Sequence, residues 1–168
     1  EKLKTWQPVL ADIKPDVVAV IAYGQLIPQA LLEMPPQGWI NVHGSLLPKY
    51  RGAGVLSAPI INGDQQTGIS IMKLIKELDA GPVIAQVKID LASDETMGSL
   101  ASKIGQVAAD ILPDTLIGYI GGRLTPQPQD DSQASYVGLV ATADAKLTRR
   151  IGATPFAGRV RLLDEIGA

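Results

Sequence analysis

The chain has 168 residues, 46% hydrophobic and 19% charged, which is enough to form one domain with a buried core. Its net charge is −2, so it lacks the overall basic character that indicates nucleic-acid binding. It contains no cysteine, which excludes disulfides and cysteine-ligated metals, and it has no apolar run as long as a membrane span. With no signal-peptide pattern at its start, the sequence predicts a soluble, cytoplasmic protein.

Apolar periodicity divides most of the chain into alternating helices and strands. The run over residues 16–22 is continuous and rich in β-branched residues, which is typical of a central parallel strand buried on both faces. The other predicted elements are a helix over 1–14, a helix over 28–34, a strand over 39–43, a Gly/Pro/Ser loop over 44–54, a helix over 55–61, and strands over 67–75 and 83–89.

The second half of the chain begins with a long amphipathic helix over residues 95–119, which Ser93 or Asp94 can cap. Residues 126–135 are polar and contain two prolines, and this composition predicts a solvated linker. The tail that follows has no clear period and is interpreted as a short hairpin and a weak helix. We therefore expect a catalytic domain over residues 1–125 and a linker and tail over residues 126–168.

This order of elements predicts an α/β fold, namely a Rossmann-like, mostly parallel sheet flanked by helices. In such sheets, ligands bind beyond the carboxyl ends of the strands. The strand over 39–43 ends at His43, and a loop rich in Gly, Pro and Ser follows it. The sequence thus predicts a functional site at the end of this strand.

Asn41 and His43 are two residues apart on that strand, so their side chains point to the same face. An amide and an imidazole side by side can donate hydrogen bonds to one oxygen and stabilise a developing oxyanion. Asp79 lies in a turn between two strands, and a carboxylate near an imidazole favours the imidazolium and can accept a proton. From these residues alone, the interpretation as a satisfied polar residue and a turn former is favoured over a functional one. One histidine and scattered carboxylates do not predict a metal site.

Several motifs around these residues occur together in a fixed order. They are Asn41-Val-His43, Ser45-Leu46-Leu47-Pro48, Arg51-Gly52, Thr67-Gly-Ile-Ser70-Ile-Met72 and Leu78-Asp79-Ala-Gly-Pro82. Their order and spacing resemble the signature of the formyltransferase family that uses 10-formyltetrahydrofolate, over about residues 1–135. The resemblance implies the formyltransferase fold. It also implies that the first strands of the family's sheet, and the tRNA-binding barrel of some members, lie outside this sequence.

The resemblance also implies a role for each matched position. Asn41 and His43 would bind the formyl oxygen, and Asp79 would keep His43 charged and relay the proton of the acceptor amine. Arg51 would contact the acceptor or the folate, although a salt bridge within the loop is an equal interpretation. No metal is expected. The implied folate-binding residues are Ala22, Tyr23, Gly24, Leu26, Ile27, Ser45, Leu46, Leu47, Pro48, Ile75 and Leu78.

Within the family, the middle of the chain is most similar to members that formylate methionyl-tRNA for translation initiation. The expected partners are therefore a folate and the acceptor end of tRNA, the latter mainly through regions outside this sequence. Other interpretations are formylation of an amino sugar nucleotide, hydrolysis of formyltetrahydrofolate, and an inactive binding or assembly module. An incomplete sheet would leave an unpaired edge, which predicts that this chain self-associates or is unstable alone.

Overall fold

The computed structural model describes residues 6–139 of the chain. Within this range, no helix combines the length and apolar character needed to cross a membrane. The elements in chain order are α1 (Trp6–Ile13), β1 (Val18–Ile21), α2 (Gln29–Leu32), β2 (Trp39–His43), β3 (Arg51–Gly52), α3 (Ser57–Asn62), β4 (Gln66–Lys73), β5 (Val83–Asp90), α4 (Met97–Ile120), a 3₁₀ turn (Asp131–Gln133) and β6 (Tyr136–Val137).

A four-stranded sheet in the order β1-β2-β4-β5 forms the centre of the described structure. β1 and β2 are parallel, whereas β2 pairs with β4, and β4 with β5, in antiparallel orientation. Helix α4 packs against β4 and β5. The predicted α/β class is confirmed, with a mixed sheet whose parallel pairing, within residues 6–139, is between β1 and β2.

The main core lies between this sheet and α4. Strand β4 is buried at every position from Thr67 to Met72, so the protein covers both of its faces. Its neighbour β5 alternates between covered and exposed positions, as expected for a strand with one solvated face. The buried members of the core are Ile40, Val42, Ile60, Ile69, Ile71, Ile84, Ile89, Leu100, Ala108 and Tyr119.

Strand β1 differs from its prediction as a central strand buried on both faces. Among the described residues it pairs with β2 alone, and Ile21 is 58% exposed. A second, smaller core of Leu10, Leu31 and Trp39 packs against Val18 and Val20, which covers one face only. The apolar run identified the strand correctly. The prediction of its burial was wrong for the described residues, because they supply a covering layer on one face and a neighbour on one edge.

Helix α4 begins later than expected, because its cap is Thr96 and neither Ser93 nor Asp94. The Thr96 side chain accepts a hydrogen bond from the Ser99 amide, and the Ser99 hydroxyl accepts one from the Thr96 amide. This reciprocal capping box satisfies two backbone donors at once, which explains why the helix starts there. The helix ends at Ile120 with Gly121 as its C-cap, one residue past the predicted end at 119.

The polar segment after α4 returns to the body of the domain. Gln127 forms two backbone hydrogen bonds with Val83, and β6 pairs in parallel with β3 inside the loop over residues 44–54. The sequence did not predict either short strand. The predicted helix of the tail, and most of the predicted hairpin, fall on residues 140–168, which lie outside the described range.

Candidate active site

Asn41 and His43 lie at the carboxyl end of β2, which runs between β1 and β4. Their side chains share one face of the sheet, as the two-residue spacing predicts. The His43 ring is buried, while Asn41 is half-buried. Among residues 6–139, the amide group of the Asn41 side chain has no hydrogen-bond partner, so it is able to bind a ligand oxygen.

Hydrogen bonding fixes the orientation of the His43 ring. Its Nε2 lies 2.8 Å from the carbonyl oxygen of Tyr50. Because a carbonyl only accepts hydrogen bonds, Nε2 must carry a proton and donate it. The other nitrogen, Nδ1, faces Oδ2 of Asp79 at 3.7 Å. This distance is too long for a direct hydrogen bond. Because Nε2 is already bonded to Tyr50, Nδ1 is the ring nitrogen that can form a hydrogen bond with a ligand.

Asp79 is held in an uncommon backbone conformation beside the histidine. Its φ of +48° lies in the left-handed region, which non-glycine residues seldom adopt. The carboxylate is mostly buried, and its Oδ2 accepts a hydrogen bond of 2.8 Å from the Gly52 amide. The side chain of Gln129 donates to the Asp79 carbonyl at 2.8 Å. Hydrogen bonds from Gln129 and Gly52 therefore fix both the backbone and the carboxylate of Asp79.

Tyr50, which binds Nε2 of His43, is anchored just as firmly. It too has a positive φ, of +62°, and its hydroxyl donates to Asp64 at 2.7 Å and accepts from Asn62 at 2.8 Å. Burial raises the pKa of the Tyr50 hydroxyl, and Asp64 raises it further, against the opposing effect of Asn62. The hydroxyl thus stays protonated as a donor, and the anchored side chain aims the Tyr50 carbonyl at His43.

The hydroxyl groups of Ser45 and Ser70 form hydrogen bonds that fix the loop after His43. Ser45 is fully buried and donates to the Lys49 carbonyl at 2.6 Å. Ser70 of β4 is also fully buried, donates to the Ser45 carbonyl at 2.6 Å and accepts from the Leu47 amide at 3.0 Å. The Leu47-Pro48 peptide is cis. The buried side chains of Ser45 and Leu47 shape this loop, so any contact they make with a ligand would be through the backbone.

Arg51 forms a salt bridge, but its partner is Asp131 in the segment after α4 and not a residue of the loop. Its side chain is 2% exposed, and its Nη2 lies 2.6 Å from Asp131. Gln129 accepts from Nε and Nη2 at 3.1 and 2.8 Å, and the hydroxyl of Tyr136 accepts from Nη1 at 3.0 Å. All three guanidinium nitrogens have partners within the described residues. A contact between Arg51 and a substrate stays a prediction.

Exposed apolar side chains lie on two segments that the family resemblance assigned to folate binding. The first segment, residues 22–27, follows β1, whose last residue is paired with Val42 of β2. It carries Tyr23 and Leu26, whereas Ile27 packs into the smaller core. The second segment precedes Asp79. The exposed fractions on these segments are 43% for Tyr23, 77% for Leu26, 38% for Ile75 and 50% for Leu78.

Three residues at the site were given no role by the sequence interpretation. Tyr50 lies just before the Arg51-Gly52 motif and Gly52 lies within it, and their signal was their place in the loop over residues 44–54. Gln129 lies in the segment that was predicted to be a solvated linker, where nothing in the composition distinguishes it from Gln127 or Gln133. Only the folded chain reveals its contacts.

Taken together, these features define an α/β protein with an imidazole–carboxylate pair and an adjacent amide at a strand end. The formyl transferase family matches residues 2–116, which is more than half of the chain. A methionyl-tRNA formyltransferase from Trichlorobacter lovleyi is 46% identical over 128 residues, covering 76% of this chain and 40% of that protein. The chain therefore belongs to the formyltransferase family, and it spans less than half the length of this relative.

Solved structures confirm the predicted formyltransferase fold. HypX from Aquifex aeolicus, determined in complex with tetrahydrofolic acid, matches with a TM-score of 0.78 at 17% identity, over 92% of this chain and 27% of that one. A sugar N-formyltransferase from Shewanella sp FDAARGOS_354 matches with a TM-score of 0.75 at 22% identity, over 95% of this chain and 65% of that one. At these identities, the matches establish the fold alone.

Proposed function

We propose that this chain is the formyl-transferring part of an enzyme that moves a formyl group from 10-formyltetrahydrofolate to the amino group of methionyl-tRNA. The observation that carries the proposal is the His43 ring, oriented by the Tyr50 carbonyl so that Nδ1 faces Asp79 at 3.7 Å. The unpaired amide of Asn41 lies on the same face of β2. The name of the relative at 46% identity supports methionyl-tRNA as the acceptor.

In this proposal, Asn41 and His43 act on the formyl oxygen. The Asn41 amide and a protonated Nδ1 of His43 donate to this oxygen as the acceptor amine adds to the formyl carbon. Both donors are held on a strand before the reaction starts, so they need little reorganisation when negative charge develops. The Asp79 carboxylate supports the charged ring and accepts the proton that the amine loses. The bond between the formyl carbon and the folate nitrogen then breaks, and that nitrogen takes up a proton as tetrahydrofolate leaves. These residues perform acyl transfer without a covalent bond to the protein.

The exposed apolar side chains of residues 22–27 and 75–78 suit a folate. Tyr23, Leu26, Ile75 and Leu78 offer apolar surface against which a flat heterocycle can pack. The backbone of residues 22–27 and the loop before Asp79 would hold the pterin end, and residues 45–48 would border it. The folate supplies a formyl group already activated on nitrogen. The tetrahydrofolic acid bound by HypX, a protein of the same fold, supports this choice of co-substrate.

Recognition of the tRNA is assigned mainly to regions outside this chain. The chain covers 40% of its relative, and with a net charge of −2 it lacks the overall basic character of proteins that bind nucleic-acid phosphates. The site described here would receive the aminoacyl end alone. This reaction belongs to translation initiation, which is consistent with the predicted cytoplasmic location.

A second candidate acceptor is an amino sugar attached to a nucleotide. The match to the Shewanella sugar N-formyltransferase favours it, because that protein shares the fold over 95% of this chain. Methionyl-tRNA is the preferred acceptor because the relative from Trichlorobacter lovleyi, which is 46% identical over 76% of this chain, is a methionyl-tRNA formyltransferase.

A formyl-transfer assay with methionyl-tRNA, an amino sugar nucleotide and water as competing acceptors tests the proposal. We expect methionyl-tRNA to be the best acceptor, and His43→Ala and Asp79→Asn to lower kcat about 100-fold or more. Gln106→Ala, on the exposed face of α4, is the control and should behave like the unsubstituted chain. Activity that survives both site substitutions would refute the assignment. Folate binding without turnover on any acceptor would instead indicate an inactive binding module.

A further inference from the structure

We propose that Gln129 is a positioning residue that holds Asp79 in its orientation toward His43, an inference that rests on the proposed function. Its Nε2 donates to two carbonyl oxygens of the same turn, to Asp79 at 2.8 Å and to Gly81 at 2.7 Å. Both N–H groups of one amide are thus used on the turn that presents the carboxylate. Gln129 makes no contact with His43 and acts through Asp79.

The opposite end of the Gln129 amide is fixed by Arg51. Oε1 accepts from Nε at 3.1 Å and from Nη2 at 2.8 Å. A guanidinium only donates, so the amide oxygen must face Arg51 and the nitrogen must face the turn. Asp131 and Tyr136 hold the guanidinium from its outer side. The orientation of the Gln129 amide is therefore set by a charged, buried partner.

The turn needs such a brace because its conformation is unfavourable. A non-glycine residue with φ of +48° costs about 1 kcal/mol or more and persists only where the surrounding structure enforces it. Two residues on, Gly81 packs so closely on β4 that a Cβ there would lie 1.8 Å from the Lys73 carbonyl oxygen. Packing at Gly81 and the hydrogen bond from Gln129 at Asp79 thus fix the backbone of the turn. With this backbone fixed, the Asp79 carboxylate is directed toward His43.

The two residues that bind Asp79, Gly52 and Gln129, are themselves connected through Arg51. The Gly52 amide binds the Asp79 carboxylate, and the Gln129 side chain binds the Asp79 backbone. Gln129 is in turn bound to Arg51, the residue that precedes Gly52. β3, which contains Arg51 and Gly52, is paired with β6 at Tyr136 and Val137. The segment after α4 therefore sets the position of Asp79 relative to His43, although none of its residues belongs to the pair.

Gln129→Glu distinguishes the contact of this side chain with Arg51 from its contacts with the turn. The carboxylate keeps an acceptor for Arg51, so the buried charge stays paired, but it removes both donors and sets an oxygen against the carbonyls of Asp79 and Gly81. Gln127→Glu is the matched control, because the Gln127 side chain is exposed and donates only to the Thr125 carbonyl. Gln129→Met, which is similar in length and carries no charge, is a second variant in case the glutamate disrupts the fold.

The only histidine in the sequence, His43, provides a readout that does not need turnover. In NMR spectra of the isotope-labelled chain, Gln129→Glu should move the imidazole resonances in the same direction as Asp79→Asn. It should add no further shift in the Asp79→Asn background, while Gln127→Glu leaves them in place. Imidazole resonances unchanged in both Gln129 variants, or shifts that add to those of Asp79→Asn, would overturn the inference.

Kinetics then separate this inference from the proposed function. We expect Gln129→Glu to lower kcat about tenfold or more, with the KM for the folate unchanged, because the loss is in the geometry of Asp79. In the Asp79→Asn background the same change should have no effect on kcat. Absence of formyl transfer by the unsubstituted chain, with the expected imidazole shifts, would refute the function and leave the positioning role in place. An effect of Gln129→Glu on kcat that is equal in both backgrounds would overturn the positioning role.

Discussion

At the scale of single residues, the site is built around His43 by two neighbours in the left-handed region. Tyr50 and Asp79 have φ values of +62° and +48°, and each faces a different ring nitrogen. Side chains disfavour this region by about 1 kcal/mol or more, yet neither position is a glycine. In both cases the side chain provides the reason, because the Tyr50 hydroxyl anchors its turn and the Asp79 carboxylate faces the histidine.

Tyr50→Phe tests whether the hydroxyl network orients His43. The change removes the bonds to Asp64 and from Asn62, and we expect a loss of about 1–2 kcal/mol in the free energy of unfolding. With the Tyr50 carbonyl less firmly placed, the hydrogen bond from Nε2 of His43 to this carbonyl should weaken. Urea denaturation and the nitrogen chemical shifts of the single imidazole measure the two effects.

Tyr119→Phe is the matched control for this experiment. Tyr119 is also buried, and its hydroxyl donates to the Gln37 carbonyl at 2.8 Å, away from the site. It should lose a similar amount of stability without changing the imidazole. If Tyr50→Phe destabilises the chain but leaves the nitrogen chemical shifts of the His43 imidazole unchanged, the network is structural and does not orient the ring.

At the scale of elements, the start of α4 depends on a buried carboxylate. Burial opposes the ionisation of Glu95, but hydrogen bonds from Lys103, from Ser99 and from the Ala92 amide outweigh it and lower the pKa of this carboxyl. The ionised Glu95 thus joins the preceding loop to the second turn of the helix. The capping box at Thr96 and this ion pair fix the same helix end.

Glu95→Gln should make the stability of the chain less sensitive to acid. The pKa of Glu95 is lower in the folded than in the unfolded state, so its stabilisation is complete above the ordinary value of 4.5 and is lost as the pH falls through the folded value. We expect Glu95→Gln to cost about 2 kcal/mol at neutral pH and progressively less below 4.5. Urea denaturation of both proteins over a pH series measures this difference.

Asp110→Asn serves as the control on the same helix. Asp110 is exposed, and its bond from Gln106 is a surface contact, so the substitution should change stability by less than about 0.5 kcal/mol at any pH. A cost for Glu95→Gln that stays constant with pH would show that Glu95 acts through its size or neutral hydrogen bonds, and its charge would then be unimportant.

At the scale of the whole molecule, predictability follows the length and periodicity of each segment. β2 and the span of α4 were predicted to within about two residues, because apolar residues recur along them. Asn41 and His43 were predicted to share a face from strand geometry alone. The proximity of Asp79 to His43 was implied only by the family resemblance, because nothing local in the sequence relates these two positions, which are 36 residues apart.

The short pairings were beyond prediction for a physical reason. β3 and β6 have two residues each, which is too short for any period, and their pairing depends on where the folded chain brings them. The left-handed turn at Asp79 is equally hidden, because its stability comes from Gln129. Polar composition predicted that residues 126–135 are exposed, which many of them are, but it carried no information about their hydrogen bonds.

These contacts bear on where the domain ends, which the composition predicted to be residue 125. Val83 and Gln127 exchange two backbone hydrogen bonds of 2.8 and 2.7 Å, and the Gly54 amide donates to the Val137 carbonyl at 3.3 Å. A solvated linker does not form such bonds. We infer that residues 127–137 unfold together with the sheet, so that the structural unit extends past the predicted boundary.

Hydrogen exchange of the backbone amides tests this inference. The amides of Gln127 and Gly54 should be protected to about the same degree as those in the β4–β5 ladder. Arg51→Met, which removes the side chain that ties β3 to Gln129, Asp131 and Tyr136, should make these amides exchange about tenfold faster or more. The β4–β5 ladder should be unaffected.

Arg123→Met is the control, because it makes the same change at an exposed position outside the network. If residues 127–137 of the unsubstituted chain exchange as fast as an unstructured peptide, the domain ends at 125 as its composition predicted. If they are protected and only Arg51→Met releases them, the polar segment is part of the catalytic body. The geometry of His43 and Asp79 would then depend on residues about 50 positions further along the chain than Asp79.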